Sequence, residues 1–254
     1  MSDLVVGFVG LGNMGSALAQ NLVGAGHEVL THDVVGAACS PEGARFVESL
    51  ALLAASTDVV VLSLPDGSVS ASVIGALLEA PERRIAAIVD TSTVGPQAAA
   101  RAAEVSALEG VDFVDAPVSG GRTGAIARTL AVMYSGSDAA CARVEGVLEG
   151  LSDNRVRVGD RAGLAQAAKL ANNFLSATAL MATSEAVGFA VEAGVDMGVL
   201  LEVLNASSGR NSATVDKFPN HVLTGTYASG FTNSLMAKDL DLYLDEVQAL
   251  DGAE

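Results

Sequence analysis

The sequence predicts an α/β fold: a doubly wound, mostly parallel sheet followed by an all-helical second domain. Three observations carry that reading. Short apolar, β-branched runs alternate with alanine-rich helical segments through the first part of the chain. The first of those runs ends in a glycine-rich turn, Gly10-Leu11-Gly12-Asn13-Met14-Gly15, that opens a helix. After Gly163 the strand signals vanish and helical patterns alone remain. The expected domains are therefore residues 1–162 and 163–254.

Taken in order, Leu4, Val5, Val6, Phe8 and Val9 read as a buried strand, and Ser16 to Val23 as the helix behind the turn. A second short strand, Glu28 to Thr31, leads to Asp33, close to the roughly 20 positions past the first glycine at which a Rossmann-type dinucleotide site carries an acid. Each glycine has its own task. Gly10 permits the tight turn, Gly12 lets backbone approach a pyrophosphate, and Gly15 lets the helix pack on the strand. The helix start offers N–H groups and partial positive charge to phosphates. Asp33 accepts from a ribose diol and repels a 2′-phosphate, which favours NAD over NADP. A glycine-rich turn alone could bind nothing; strand, helix and acid together argue for the dinucleotide.

Further strands are expected at Asp58–Ser63, Ile85–Asp90, Val111–Asp115, Leu130–Tyr134 and Arg155–Gly159, with alanine-rich helices between them. The loops 64–69, 91–96 and 116–122 follow strand ends, so they belong to the same crevice as the glycine turn. Beyond Gly163, residues 164–192 form one long helical pattern without proline. Shorter helices follow at Val199–Asn205, Val215–Val222 and Ser234–Leu250.

Composition narrows the function. The 254 residues are 50% hydrophobic and 17% charged, enough for a substantial core in one or two domains. A net charge of −16 argues against nucleic acid and against anionic membranes as partners. The most apolar stretch, Leu164–Val191, contains Gln166, Lys169, Asn172, Asn173 and Glu185, which are costly in a lipid span. Residues 1–9 carry no basic leader. Cys39 and Cys141 are isolated thiols that fit a reducing cytoplasm, and His27, His32 and His221 lack ligand spacing, so no metal site is expected.

Three segments carry chemistry. In Asp115-Ala-Pro-Val-Ser119-Gly120-Gly121-Arg122, a strand end followed by a hydroxyl and paired glycines makes a nest of N–H donors suited to a carboxylate; a proline-bent flexible turn is the plainer alternative. In Gly163-Leu-Ala-Gln-Ala-Ala-Lys169-Leu-Ala-Asn172-Asn173, Lys169 and Asn173 share one helix face. If that lysine is desolvated, its pKa falls from about 10.4 toward the range, roughly 7–8, useful for proton transfer near neutral pH. A snorkelling surface lysine is the alternative. In Ser234-Leu-Met-Ala-Lys238-Asp239, a basic–acidic pair early on a helix reads on physical grounds as a solvated face. Arg122 either meets solvent or a second anionic group of the substrate.

Taken together, G-F-V-G-L-G-N-M-G, D-A-P-V-S-G-G, A-K-L-A-N-N and L-M-A-K-D-L stand in the order and spacing of the β-hydroxyacid dehydrogenase family, 3-hydroxyisobutyrate dehydrogenase-like, and the resemblance spans nearly the whole chain. It implies hydride transfer between NAD(P) and a small β-hydroxy acid or its semialdehyde, in a homodimer or homotetramer. Lys169 matches the catalytic lysine, and Ser119, Gly120, Gly121 and Asn173 match substrate-binding positions. Gly10 to Gly15 and Asp33 match cofactor positions, as do Leu64, Pro65, Thr93 and Lys238 on the nicotinamide half. Ser207–Asn211 matches a loop near the active site. The chain departs from the family at Ala165 and Arg128, where glycines are common, and it ends at Glu254, before the family's C-terminal tail. An imine reductase shares the architecture, though those relatives usually carry another residue at the Lys169 position. A 6-phosphogluconate dehydrogenase has similar motifs but a far larger helical domain. A cofactor-binding scaffold, impaired by a missing tail, is the non-enzymatic alternative.

Overall fold

The computed structural model describes residues 4–252, so the outermost positions of the two expected domains, 1–3 and 253–254, lie outside the described residues. The chain divides into two compact units, Met1–Lys169 with Asp245–Glu254, and Leu170–Leu244. The division falls within a long helix rather than at residue 162.

The first unit opens with β1 (Val5–Val9), α1 (Gly15–Gly24), β2 (Glu28–His32), a single 3₁₀ turn (Ala37–Cys39), β3 (Arg45–Phe46) and α2 (Leu50–Ser56). It continues through β4 (Val59–Leu62), α3 (Gly67–Leu78), β5 (Ala87–Asp90), α4 (Pro96–Leu108), β6 (Asp112–Asp115) and β7 (Val118–Ser119). It closes with α5 (Gly121–Ile126), β8 (Ala131–Ser135), α6 (Asp138–Leu151) and β9 (Asn154–Gly159). The strand order is β3-β2-β1-β4-β5-β6-β8-β7, with β9 paired to β8. From β3 to β6 every pairing is parallel, and β8 runs antiparallel to β6 and β7. The chain order reverses between β1 and β4, the switch point at which dinucleotides bind in this topology.

All of β4 and β5 is buried, as expected of parallel strands covered on both faces. Alternate residues feed two cores. Phe8, Val61, Val89 and Val114 pack with Leu18 and Leu22 of α1 and Val144 and Leu148 of α6. Leu62, Ile88 and Phe113 pack on the other face with Leu53 of α2, Ile74 and Leu77 of α3 and Ala99 of α4.

Three short elements, β3, β7 and α5, were not expected from sequence. Two-residue strands are too short to show alternation, and a helix that starts on Gly121 runs against glycine's propensity. Arg128, one of the departures from the family pattern, sits just past α5 in the left-handed region (φ +58°). Its guanidinium offsets that strain by donating to the carbonyls of Glu149 (2.9 Å) and Gly150 (2.7 Å) at the end of α6, and to Asp153.

The helix α7 (Leu164–Glu192) begins in the first unit and continues into the second, where α8 (Met197–Asn205), a wide π-type turn (Ala213–Val222) and α9 (Asn233–Asp251) follow. Val187, Leu201, Ala213 and Phe218 form the second unit's small core. By length and composition α7 is apolar enough to cross a membrane. Its side chains include buried Gln166, Lys169 and Asn173 and exposed Leu175, Met181 and Phe189. Of the two free thiols, Cys39 is exposed in the 3₁₀ turn and Cys141 is buried on α6.

Candidate active site

The glycine turn is built by exclusion. A Cβ on Gly10, whose φ is +93°, would strike the Ser63 carbonyl at the end of β4, and one on Gly15 would strike the Gly10 carbonyl. Gly12, by contrast, is exposed, and a Cβ there would meet nothing within 4 Å. The turn therefore packs tightly against the sheet at both ends and leaves its middle open. Leu11 anchors it inward as a buried side chain, while Asn13 is exposed and Met14 half-buried. Asp33 sits at the end of β2, and its Oδ2 accepts from the Leu11 amide (2.6 Å) while Oδ1 accepts from Val35 N (2.9 Å). The acid thus braces the turn by one of its oxygens and remains half-exposed.

The loops after β4 and β5 are joined through Ser92. Its Oγ accepts from Leu64 N (2.8 Å) and its N–H donates to Asp90 Oδ1 (2.9 Å). That brings Leu64 and Pro65 beside the loop that carries half-buried Thr93. The loop after β6 joins the same edge, because Ala116 N donates to the Asp90 carbonyl (2.8 Å). It leads to Ser119 at the end of β7, and then to Gly120 (φ +131°) and Gly121 (φ +66°) at the start of α5. Arg122 is exposed on that first turn.

The start of α7 is tied to this edge by a buried polar network. Asp115 Oδ1 accepts from Ser135 Oγ (2.6 Å) and Gly163 N (3.1 Å), and Oδ2 accepts from Gln166 N (3.1 Å). Ser135 Oγ in turn accepts from Ala165 N (2.8 Å). The Gln166 carboxamide reaches the β5 loop: Oε1 accepts from Val94 N and Gly95 N, and Nε2 donates to the Ser92 carbonyl. Lys169, three residues further along the helix, is buried with 6% of its surface exposed.

Asp90 and Asp115 are register partners on adjacent strands and both are buried. Burial pushes both carboxyls up from the usual carboxylate value, against the opposing effect of their hydrogen bonds. Asp90 Oδ2 and the nearby Ser70 Oγ are buried outside hydrogen-bond geometry with any partner, although the Ser70 hydroxyl is close enough to oppose the upward shift.

In the second unit, Asn173 is buried and its Nδ2 donates to Asp239 Oδ2 (2.5 Å), while its Oδ1 accepts from Asn172 Nδ2 (3.0 Å). Lys238 Nζ stands 3.1 Å from Asp239 Oδ1, an ion-pair distance but off the hydrogen-bond direction. Asn211, in the Ser207–Asn211 loop, accepts from the amides of Ala213 and Thr214 and so fixes the start of the π-type turn.

Residues 5–159 match the family described as the NAD binding domain of 6-phosphogluconate dehydrogenase. Residues 163–253 match the one described as NAD-binding of NADP-dependent 3-hydroxyisobutyrate dehydrogenase. The chain is 35% identical to 2-(hydroxymethyl)glutarate dehydrogenase of Eubacterium barkeri, over 96% of this chain and 82% of that protein. It is 36% identical to 3-hydroxyisobutyrate dehydrogenase of Pseudomonas aeruginosa, over 98% and 87%. A solved 3-hydroxyisobutyrate dehydrogenase of Mycobacterium tuberculosis with L-serine superposes with a TM-score of 0.88 at 33% identity, over 98% and 88%. The chain belongs to the β-hydroxyacid dehydrogenase family.

This dehydrogenase is an NAD(P)-dependent oxidoreductase with a nucleotide-binding sheet and a helical C-terminal part. Imine reductases share the fold at 22% identity or less, so that likeness extends to architecture alone. Within the dehydrogenase's first unit, direct contacts link the glycine turn, Leu64, the Thr93 loop and the helix turn that carries Lys169 to one edge of the sheet. Asn173 and Lys238 lie in the second unit. Three groups escaped the sequence reading. Gln166 registered there only as a polar residue unsuited to lipid, Asp115 only as the end of a strand, and Asp239 as half of a solvated pair. Asp239 is in fact 2% exposed and holds Asn173. Their sequence signal was their chemistry alone: ionisable or amide side chains inside otherwise apolar patterns, which must find partners once buried. Among the described residues no cluster of three metal-ligating side chains forms.

Replacing Asp90 tests the cost of its unmatched oxygen. A carboxyl raised by folding contributes full stability below its ordinary value of 3.8 and loses it as pH rises through the raised value. Asp90→Asn should therefore melt higher than the parent at pH 8, by about 2–4 °C for each kcal/mol recovered. The gap should close as pH falls toward 3.8. Thermal melts across that range read it, and a parent that is the more stable at pH 8 would contradict the assignment.

Proposed function

We propose that the dehydrogenase catalyses reversible oxidation of a small, 3-hydroxyisobutyrate-like β-hydroxy acid to its semialdehyde, with Lys169 as general acid and base and NAD as the preferred cofactor. The observation that carries the reading is the buried Lys169 side chain, on a helix turn tied by Gln166 to the loop around Thr93. The relatives named above, acting on 3-hydroxyisobutyrate and 2-(hydroxymethyl)glutarate, support the substrate class.

The residues present suit the cofactor. Gly12 leaves an open cradle on the turn, at the N-terminal end of α1 where the helix carries partial positive charge. Asp33 retains lone pairs that could accept from a ribose diol, and its carboxylate would repel a 2′-phosphate, which supports NAD over NADP. The turn Gly10, Leu11, Gly12, Asn13, Met14 and Gly15 would hold the pyrophosphate, and Leu64, Pro65, Thr93 and Lys238 would serve the nicotinamide half. NAD, when bound, supplies the hydride acceptor.

Ser119 and the amides of Gly120 and Gly121 bind the substrate carboxylate. Lys169 Nζ takes the hydroxyl proton during oxidation and gives a proton to the forming alkoxide during reduction. Asn173, one helical turn on and held by Asp239, orients the hydroxyl. Each oxidation leaves one proton on the lysine, which passes to solvent before the next turnover.

Reduced-nicotinamide absorbance across a panel of three- and four-carbon hydroxy acids and semialdehydes, with NAD and NADP in parallel, tests the activity. Lys169→Ala should lower kcat by about 10²–10⁴-fold and leave NADH binding intact; undiminished turnover would remove the lysine from the chemistry. Asp33→Ser should relax discrimination against NADP by on the order of tenfold, read as the ratio of kcat/KM values, one charge contact being on the order of 1 kcal/mol. An unchanged ratio would refute the cofactor preference.

The free thiols support a reducing, cytoplasmic setting. The exposed Leu175, Met181 and Phe189 on α7 support a homodimer or homotetramer, since apolar patches of that kind mark subunit contacts. Sedimentation velocity at micromolar concentration should show the oligomer, and a monomer throughout would exclude it.

A further inference from the structure

We propose that Gln166 is a positioning residue whose carboxamide locks the loop bearing Thr93 to the helix turn bearing Lys169, so that cofactor loop and proton carrier keep a fixed register. The inference rests on the assignment of Lys169 as general acid and base. Gln166 is wholly buried, and its side chain makes three hydrogen bonds to one short stretch of backbone. Oε1 accepts from Val94 N at 3.0 Å and Gly95 N at 3.3 Å, just after Thr93, and Nε2 donates to the Ser92 carbonyl at 3.0 Å, just before it. One carboxamide therefore brackets Thr93 from both sides.

The other end of the lock is as firm. Gln166 N donates to Asp115 Oδ2, and Gly163 N to Asp115 Oδ1, so the helix start is seated on β6. Gly163 has φ +94°, and a Cβ there would lie 2.7 Å from the Pro96 carbonyl. Loop 92–96 and helix start 163–166 are thus apposed at two points, one of them closed by the carboxamide. Lys169 is less than one turn beyond Gln166 on the same rigid helix, so a shift of the loop relative to this turn is a shift of the amine relative to whatever the loop holds. A buried amide costs free energy unless its donors and acceptors are matched, and an apolar side chain would fill the space without that requirement. What the amide adds is placement. Misplacement on the order of 1 Å costs up to about 10²-fold in rate.

The test compares Gln166→Met, which keeps the length and loses the three bonds, with Gln166→Glu. A protonated carboxyl reproduces both accepting and donating roles; an ionised one cannot donate to the Ser92 carbonyl. Gln166→Met should lose about 10- to 10²-fold in kcat at every pH, with NADH affinity by fluorescence titration within about threefold of the parent. Gln166→Glu should regain activity relative to Gln166→Met as pH falls, giving it an acid-dependent limb that the parent lacks. Identical pH profiles for the two variants, or parent kcat in Gln166→Met, would overturn the inference. If Gln166→Met does not fold, the added limb of Gln166→Glu decides alone. Lys169→Ala run alongside separates the two ideas. An active Lys169→Ala sinks the underlying assignment, whereas an inactive one beside a fully active Gln166→Met sinks only the positioning role.

Discussion

Asp115 carries the constraint on which the site is built. Its carboxyl is fully buried at the end of β6, and the donors that meet it are hydroxyl and backbone N–H groups: Ser135, Gly163 and Gln166. Two of them belong to the start of α7, whose unmatched amides and partial positive charge suit an acceptor of this kind. Burial still prevails over those bonds in moving the proton equilibrium upward. The helix that brings Lys169 to the sheet is thus fastened by a group that is itself expensive to bury, and that expense is recovered only while the helix stays seated.

The same economy of small contacts runs along the sheet edge. Ser92 joins the loops after β4 and β5, Ala116 N ties the loop after β6 to Asp90, and Asp33 braces the glycine turn from β2. Each contact is a hydrogen bond donated by a backbone N–H, to a short side chain at Ser92 and Asp33 and to a backbone carbonyl at Asp90. Together they hold loops, which in isolation are the mobile parts of an α/β fold, as an extension of the sheet.

Most of the frame was legible in sequence because its signals are local. Buried parallel strands are continuous apolar runs, and β4 and β5 appear as such; the role of Gly15 follows from the Gly10 carbonyl close by in sequence, whereas Gly10 is also constrained by the distant Ser63 carbonyl. Lys169 and Asn173 could be put on one helix face by counting alone. What the counting missed is set by distant partners. Gln166 meets a loop about seventy positions earlier, Asp115 meets the helix start about fifty positions later, and Asn173 meets Asp239 across a similar gap, and no periodicity encodes such separations. The compact units divide inside the long helix, where the sequence shows no break in pattern.

The contrast between the two cysteines has a practical side. Cys39 is open to solvent six residues past Asp33, while the Cys141 sulfur lies inside α6 against the Gly136 carbonyl. An alkylating fluorophore offered to the folded chain would therefore find one sulfur, in the 3₁₀ turn that follows β2. The molecule comes with a single ready attachment point for an optical label on its first unit, without any engineered residue.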